Sequence, residues 1–281
     1  MDTTPVDPHA DDGMEGIDSF SLVRLDAVTD MDEVLGLLDD LATTDAHGDG
    51  PGHRFLVTLD DLDQAVYTSM HAMEDERLAL DDFEAPAGAE PTISSEADDV
   101  AFIEAFEHAQ LAHVVAALDA SENRVTWADA CGRVPAETTD LETLARVNAD
   151  PGLVFTGAAM IQALPADIVT RDDLVLAGLP NGYFTDDLDV FHNQAVVRTL
   201  GEEFGLRLFG IGAAYLGFVR DTPFTATEAA RIADRLRELH AAAEAPGHDD
   251  LVAALTDSRT VLVGYAEDFG DLFFDAGESR R

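Results

Sequence analysis

The sequence predicts an α+β fold, a mixed or antiparallel sheet with helices packed on one side, and three observations predict it. Short alternating or apolar runs of strand length recur at residues 20–25, 55–59, 206–211, 215–220 and 260–265. Segments with apolar residues at helical spacing separate most of these runs. Their order along the chain, with two late strands placed to form a hairpin, suits an α+β sheet that could divide into two α/β subdomains.

Residues 1–18 mix Pro, Gly, His and Asp without periodicity and read as a disordered acidic tail. The fold then opens on Phe20-Ser21-Leu22-Val23-Arg24-Leu25, an alternating strand, and Thr29 caps a helix through Leu41. Glycines and Pro51 at residues 48–52 end that helix, and Phe55 to Leu59 forms the next strand. The helix that follows has Leu62, Val66, Met70 and Met73 as its apolar stripe, so residues 19–80 make a β-α-β-α unit. Residues 81–96 are acidic, carry Pro86 and Pro91, and read as a linker or loop.

Residues 97–281 form the larger α+β domain. A long amphipathic helix runs from Ala97 to Asp119, and a short one covers Leu141 to Asn148 within a stretch, 121–178, whose apolar runs have no clear period. A helix from Leu188 to Phe204 stops at Gly205 and leads into the strands Leu206–Ile211 and Tyr215–Arg220. Thr225 opens a helix to His240, with Ala229, Ile232, Ala233, Leu236 and Leu239 on its apolar face, and Thr260 to Tyr265 adds the last strand.

Composition bounds the setting. The chain carries 57 acidic and 16 basic residues, a formal charge of −41, and every basic residue is arginine. In dilute buffer such a charge opposes compaction, whereas at 1 M salt the screening length is only about 3 Å. The composition therefore predicts a protein adapted to multimolar salt. An apolar fraction of 46% is enough for a core and excludes a wholly disordered acidic chain.

Without lysine there is no amine for a pyridoxal Schiff base or a lysine-bearing phosphate loop. Cys131 is the single cysteine, which excludes an intrachain disulfide and a four-cysteine zinc site. The acidic opening from Met1 to Asp18 has no secretion-signal pattern, and the longest apolar run, Leu208 to Val219, is too short to span a bilayer. A cytoplasmic location and no membrane partner are expected. Nucleic acid is not indicated and, under salt that weakens counterion release, not excluded by charge.

Chemistry-bearing side chains concentrate at residues 180–193, where Asn181-Gly182 makes a turn, Tyr183 and Phe184 follow, and Asp186, Asp187, Asp189 and His192 surround a helix start. Acids there satisfy the helix N-terminus without any ligand. At about 100° per residue Val190, Val197, Leu200 and Phe204 share a stripe with Asn193, and His192 turns toward the polar face. A metal is therefore not expected, and neither is a cofactor. Asn193, an amide on an apolar stripe, must find partners and is placed to latch the turn or, with Asn181 and Tyr183, to read a ligand.

Other constellations are weaker. His108 and His113 lie about 140° apart on their helix, so Glu104, Glu107 and the two histidines do not converge, and the buried stripe there should be Ile103, Phe106, Gln110, Val114 and Ala117. Glu104 with His108, and His71 with Glu74, read as exposed pairs. Gly210, Gly212 and Gly217 lie in strands, not in a phosphate loop. Arg231, Arg235 and Arg237 pair with Glu228, Asp234 and Glu238 along their helix.

The function expected from the sequence is binding of a small polar ligand or a protein partner at the surface around 180–193, with Asn181, Tyr183 and Asn193 as contact residues. The alternatives are a hydrolase that uses Asp186, Asp187 or Asp189 with His192, and an oligomeric scaffold in which the hairpin 206–220 offers an exposed edge for homo-oligomers.

Overall fold

The computed structural model describes residues 1–6, 20–47, 52–78, 96–134, 138–184, 186–242, 247–267 and 269–270, with side chains of 96–102 and 138–140 left aside. Most of the expected tail, all of the expected linker except Glu96, and most of the 48–52 loop lie outside the described residues.

Among the described residues seven strands make one open mixed sheet in the order β1-β2-β4-β3-β5-β6-β7. β1 (Asp2–Pro5), β2 (Ser21–Asp26), β4 (Ala159–Pro165) and β3 (His53–Thr58) pair antiparallel in turn. β3 is parallel to β5 (Arg207–Ile211), and β5, β6 (Tyr215–Val219) and β7 (Thr260–Gly264) close the sheet antiparallel. Two departures from the expected organisation follow. Asp2–Pro5, assigned to the tail, is an exposed edge strand on β2. β4, from the stretch with no readable period, lies between β2 and β3, so the segments 19–80 and 97–281 share one sheet.

β6 and β7 are buried at every residue, and because side chains alternate across a strand, both faces are covered there. The hairpin of β5 and β6 is thus interior and offers no exposed edge, which removes the expected scaffold surface. The outer edge of β7 is closed differently. Asn148, on α5 (Thr138–Ala149), accepts from the Leu262 N–H at 2.8 Å and donates to the Leu262 carbonyl at 2.9 Å, filling the bonds a further strand would make.

The helices begin and stop where local chemistry dictates. α1 (Met31–Asp45) is capped by Asp30, one residue beyond the expected Thr29. α2 (Leu62–Ala72) starts at the Asp61 cap, α3 (Glu96–Asp119) is the long helix, and α4 (Trp127–Ala130) opens on a Thr126–Asp129 capping box. α6 (Val190–Phe204) ends on Gly205 in the left-handed region, φ 68°, and α7 (Ala226–Leu239) opens on a reciprocal Thr225–Glu228 capping box. α8 (His248–Leu255) completes the set among the described residues. No helix among them is long and apolar enough to cross a membrane.

Two apolar stripes differ from expectation. On α2 the buried residues are Ala65, Thr68 and Ala72, and Met70 is 65% exposed. Among the described side chains of α3 they are Leu111, Val114 and Leu118, and Ile103 is 43% exposed. On α2, small side chains sit on the buried face and larger apolar ones, Tyr67 and Met70, are left outside.

Candidate functional site

Residues 180–193 fold back on themselves. Gly182 has φ 96°, and a Cβ there would meet the Leu188 carbonyl oxygen at 2.0 Å, so the turn needs glycine both for its backbone and for the close approach. Asn181 is fully buried and its amide oxygen accepts from the Thr68 hydroxyl of α2. Asn193 is fully buried too, and its amide nitrogen donates to the Leu188 carbonyl at 3.0 Å. Asn193 therefore holds the very carbonyl against which Gly182 packs. Asn193→Ala is expected to lower stability by about 1 to 3 kcal/mol, because that buried carbonyl loses its donor. Urea unfolding of wild type and variant in high salt measures it, and equal midpoints would remove the latch.

The acids at the helix start separate into three situations. Asp189 is the cap of α6: one oxygen accepts from the backbone N–H of Phe191 and His192 and meets His192 Nδ1 at 2.6 Å, and the other accepts from Arg77 at 2.8 Å. Burial opposes its charge, yet the bonds from His192 and Arg77 outweigh it and hold the carboxyl well below the usual range. Arg77 also lies over the Phe191 ring at 3.9 Å. Asp187 is buried, accepts from the Glu267 N–H at 2.8 Å, and burial pushes it up to about 6. Asp186 is exposed.

His192 corrects the helical wheel. Only 7% of it is exposed, because α4 packs over the side of α6 that an isolated wheel leaves to solvent. Asp189 and His192 thus form a carboxylate–imidazole pair inside the protein, with both carboxylate oxygens already engaged. Among the described residues no group of three or more His, Cys, Asp or Glu side chains is arranged to hold a metal ion.

Behind this loop lies an acid that the sequence reading passed over. Asp60, φ 49° and 2% exposed, lies two residues beyond β3 and accepts N–H bonds from Asp61, Ala213, Ala214 and Tyr215 at 2.7 to 3.3 Å, which ties it to the β5–β6 turn. Burial raises it to about 7 against those four bonds. Gly212 belongs to this arrangement, since a Cβ there would lie 2.1 Å from the Asp60 carboxylate. Tyr265 donates to the Gly212 carbonyl, and burial, reinforced by Asp60 and Asp187, holds its phenol well above the usual range.

These shifts set a pH dependence. Asp60 and Asp187 bind protons more tightly folded than unfolded, so their contribution is complete below 3.8 and is lost as pH rises through about 6 and about 7. His240, buried and lowered to about 4 from 6.5, acts in the opposite sense as pH falls between those values. Two carboxyls against one imidazole leave a net fall on the order of 2 kcal/mol between roughly pH 5 and pH 8. Thermal melts at constant high salt should show the higher midpoint at the lower pH, and the reverse order would contradict the assignment.

The outer face of the same region is aromatic. Tyr183 stacks on His71 of α2 with centroids 4.7 Å apart, His71 meets Tyr67 edge-on at 4.5 Å, and Phe184 lies 5.5 Å from Tyr183. His71 Nδ1 also reaches Glu74 at 3.0 Å, the expected pair. Tyr67, Met70, Ile103, Tyr183 and Phe184 are the exposed large hydrophobic side chains among the described residues. Between α2 and α3 a groove of about 190 Å³, lined by Met70, Met73, Gln110 and Pro180, continues from this face. Ile103 lies one turn before Glu107, another residue of that groove.

Of the expected contact residues, Tyr183 is therefore on the surface, whereas Asn181 and Asn193 are buried beneath it as supports. Tyr67 joins the face without having been singled out, Met70 joins it although expected on the core stripe of α2, and Phe184 joins it from the 180–193 segment. The spacing Ala65, Thr68, Ala72 was the available signal, because a helix that buries small residues turns its larger ones outward. Comparison with protein-family models, with curated proteins and with solved structures finds no match to this chain.

Proposed function

We propose that the protein is a binding protein that docks another protein through the face made by α2 and the segment 180–193. The observation that supports this is the aromatic face itself: Tyr67, His71, Tyr183 and Phe184 pack ring to ring at the surface with Met70 beside them. Aromatic and methionine side chains are enriched at protein interfaces, and contiguous exposed apolar patches mark them. Because the rings pack against one another, edge-on at two contacts and stacked at the third, they leave no enclosed cage between them, which suits a partner surface better than a small molecule. In multimolar salt long-range steering is screened, so a partner held by apolar contact suits the expected medium.

A small polar ligand is the second reading, favoured by the groove of about 190 Å³ in which Ser69, Glu107 and Gln110 accompany apolar walls. The hydrolase reading has less support, since His192, the imidazole that Asp189 would orient as a base, is only 7% exposed.

The test is affinity purification from a cell extract kept in multimolar potassium chloride, with wild type beside a Tyr67→Ser, Tyr183→Ser, Phe184→Ser variant. A partner retained by wild type, released by the variant and accompanied by an unchanged melting temperature is the expected result. Identical recovery from both proteins would refute docking at this face.

A further inference from the structure

Basic side chains are scarce in this chain, 16 against 57 acidic ones, so a place where they gather needs a cause. Four of the 16, Arg54, Arg207, Arg220 and Arg259, line one cavity of about 200 Å³. Strand register brings them together. Arg54 is the second residue of β3, Arg207 the first of β5, Arg220 follows β6 and Arg259 precedes β7. These strands are neighbours in that order, with β3 and β5 parallel and β6 and β7 each reversing direction. Consecutive strands thus each supply one guanidinium at the same end of the sheet, the end away from the Asp60 turn. The Arg220 N–H donates to the Arg259 carbonyl at 3.0 Å, which fixes the last two side by side.

The four are not equivalent. Arg54 braces the loop after β4, donating to the Val169 and Thr170 carbonyls at 2.6 and 2.9 Å and to Asp172. Arg220 braces the turn after β6, donating to the Thr222 and Pro223 carbonyls at 2.7 and 2.9 Å and to both oxygens of Glu228. Arg207 has an ion pair with Asp221 at 2.9 Å, with the two side chains 53% and 88% exposed. Arg259 approaches Asp32 no closer than 3.9 Å, and Asp32 is 83% exposed. Pairs in open water contribute little, and salt screens them further. Arg207 and Arg259 can exchange partners at small cost, whereas Arg54 and Arg220 are held by Asp172 and Glu228 and serve as fixed braces of the cavity wall.

The remaining wall is largely apolar, from Leu35 and Leu38 of α1 with Phe55 and Leu208, and Asp39 is a further acid on it. We propose that this cavity binds a small organic carboxylate with an apolar body. Its carboxylate displaces Asp221 from Arg207, within reach of the charge of Arg259, and its body lies against Leu35 and Leu38. A planar carboxylate matches the guanidinium fork with two parallel hydrogen bonds, which a chloride ion cannot do. The apolar wall adds what chloride lacks altogether. This site is separate from the aromatic face and does not rest on the reading given to it.

The test titrates the full chain in roughly 3 M potassium chloride with acetate, butyrate and hexanoate, followed by calorimetry. Affinity should rise by about fourfold per methylene until the cavity is filled. Arg207→Gln should weaken hexanoate binding by roughly tenfold at an unchanged melting temperature, because the bidentate contact is lost. Asp221→Asn should strengthen it severalfold, since the competing carboxylate is gone, and this variant carries the test if Arg207→Gln folds poorly. Absence of saturable binding, a flat chain-length series, or affinities unmoved in Arg207→Gln or in Asp221→Asn would overturn the proposal.

Discussion

Dialysis from multimolar salt to roughly 0.1 M is expected to abolish the cooperative fold. The formal charge is −41, and the structure shows why so much of it stays uncompensated. α1 alone exposes Asp32, Glu33, Asp39 and Asp40, and its last turn carries no basic residue. Arginines such as Arg54, Arg77 and Arg220 are spent on internal braces instead of on the acidic surface. At 1 M salt a screening length of about 3 Å isolates neighbouring carboxylates, whereas at 0.1 M it reaches about 10 Å and many of them interact at once. Total stability of a domain is only about 5 to 15 kcal/mol, so summed repulsion on the scale of a few kcal/mol removes a large part of it. Circular dichroism during stepwise dialysis reads the outcome. An unchanged spectrum and melting temperature at low salt would refute the adaptation to salt.

Asp60→Ala is expected to be the most damaging single substitution at the sheet. The carboxylate accepts from four backbone N–H groups, and those of Ala214 and Tyr215 are buried. Each buried donor left without an acceptor costs about 1 to 3 kcal/mol. Alanine is also strained at φ 49°, where aspartate is better tolerated. Relief of the buried charge offsets part of this, and the sum is a loss on the order of 3 to 5 kcal/mol. Asp60→Asn should fall between, because its amide oxygen still accepts while its amide nitrogen faces two donors. The asparagine variant should also lose much of the stability change between pH 5 and pH 8, since Asp60, raised to about 7, is the largest contributor to it. Urea unfolding at both pH values distinguishes the cases. A variant as stable as wild type would show that the turn is held by something other than Asp60.

What the sequence disclosed followed the range of the forces involved. α6 and α7 were legible because their signals are local: Gly205 in the left-handed region stops one, and Thr225 with Glu228 three residues later starts the other. Asn193 was legible as a buried amide because its own helix supplies the apolar stripe. Asp60 was not, since its acceptor role depends on residues 213–215, about 150 positions away. His192 failed for a related reason: α4 covers a side of α6 that no wheel assigns to the interior. β4 was unreadable because it is covered on both faces and so lacks alternation. The aromatic face was half legible. Tyr183 stood out as an aromatic beside a turn, but Tyr67 and Met70 were hidden by the i, i+4 series of Leu62, Val66 and Met70, which imitates a core stripe.

Docking at the aromatic face is open to one direct measurement. A photoreactive phenylalanine derivative is placed at Tyr183 and, as a control on another exposed surface, at Glu122, and each protein is irradiated in cell extract held in multimolar potassium chloride. The expected result is a discrete cross-linked product at position 183 that is absent at 122 and is suppressed by Tyr67→Ser in the same chain. Equal cross-linking at both positions, or none at 183, would contradict the assignment of α2 and residues 180–193 as the surface on which a partner sits.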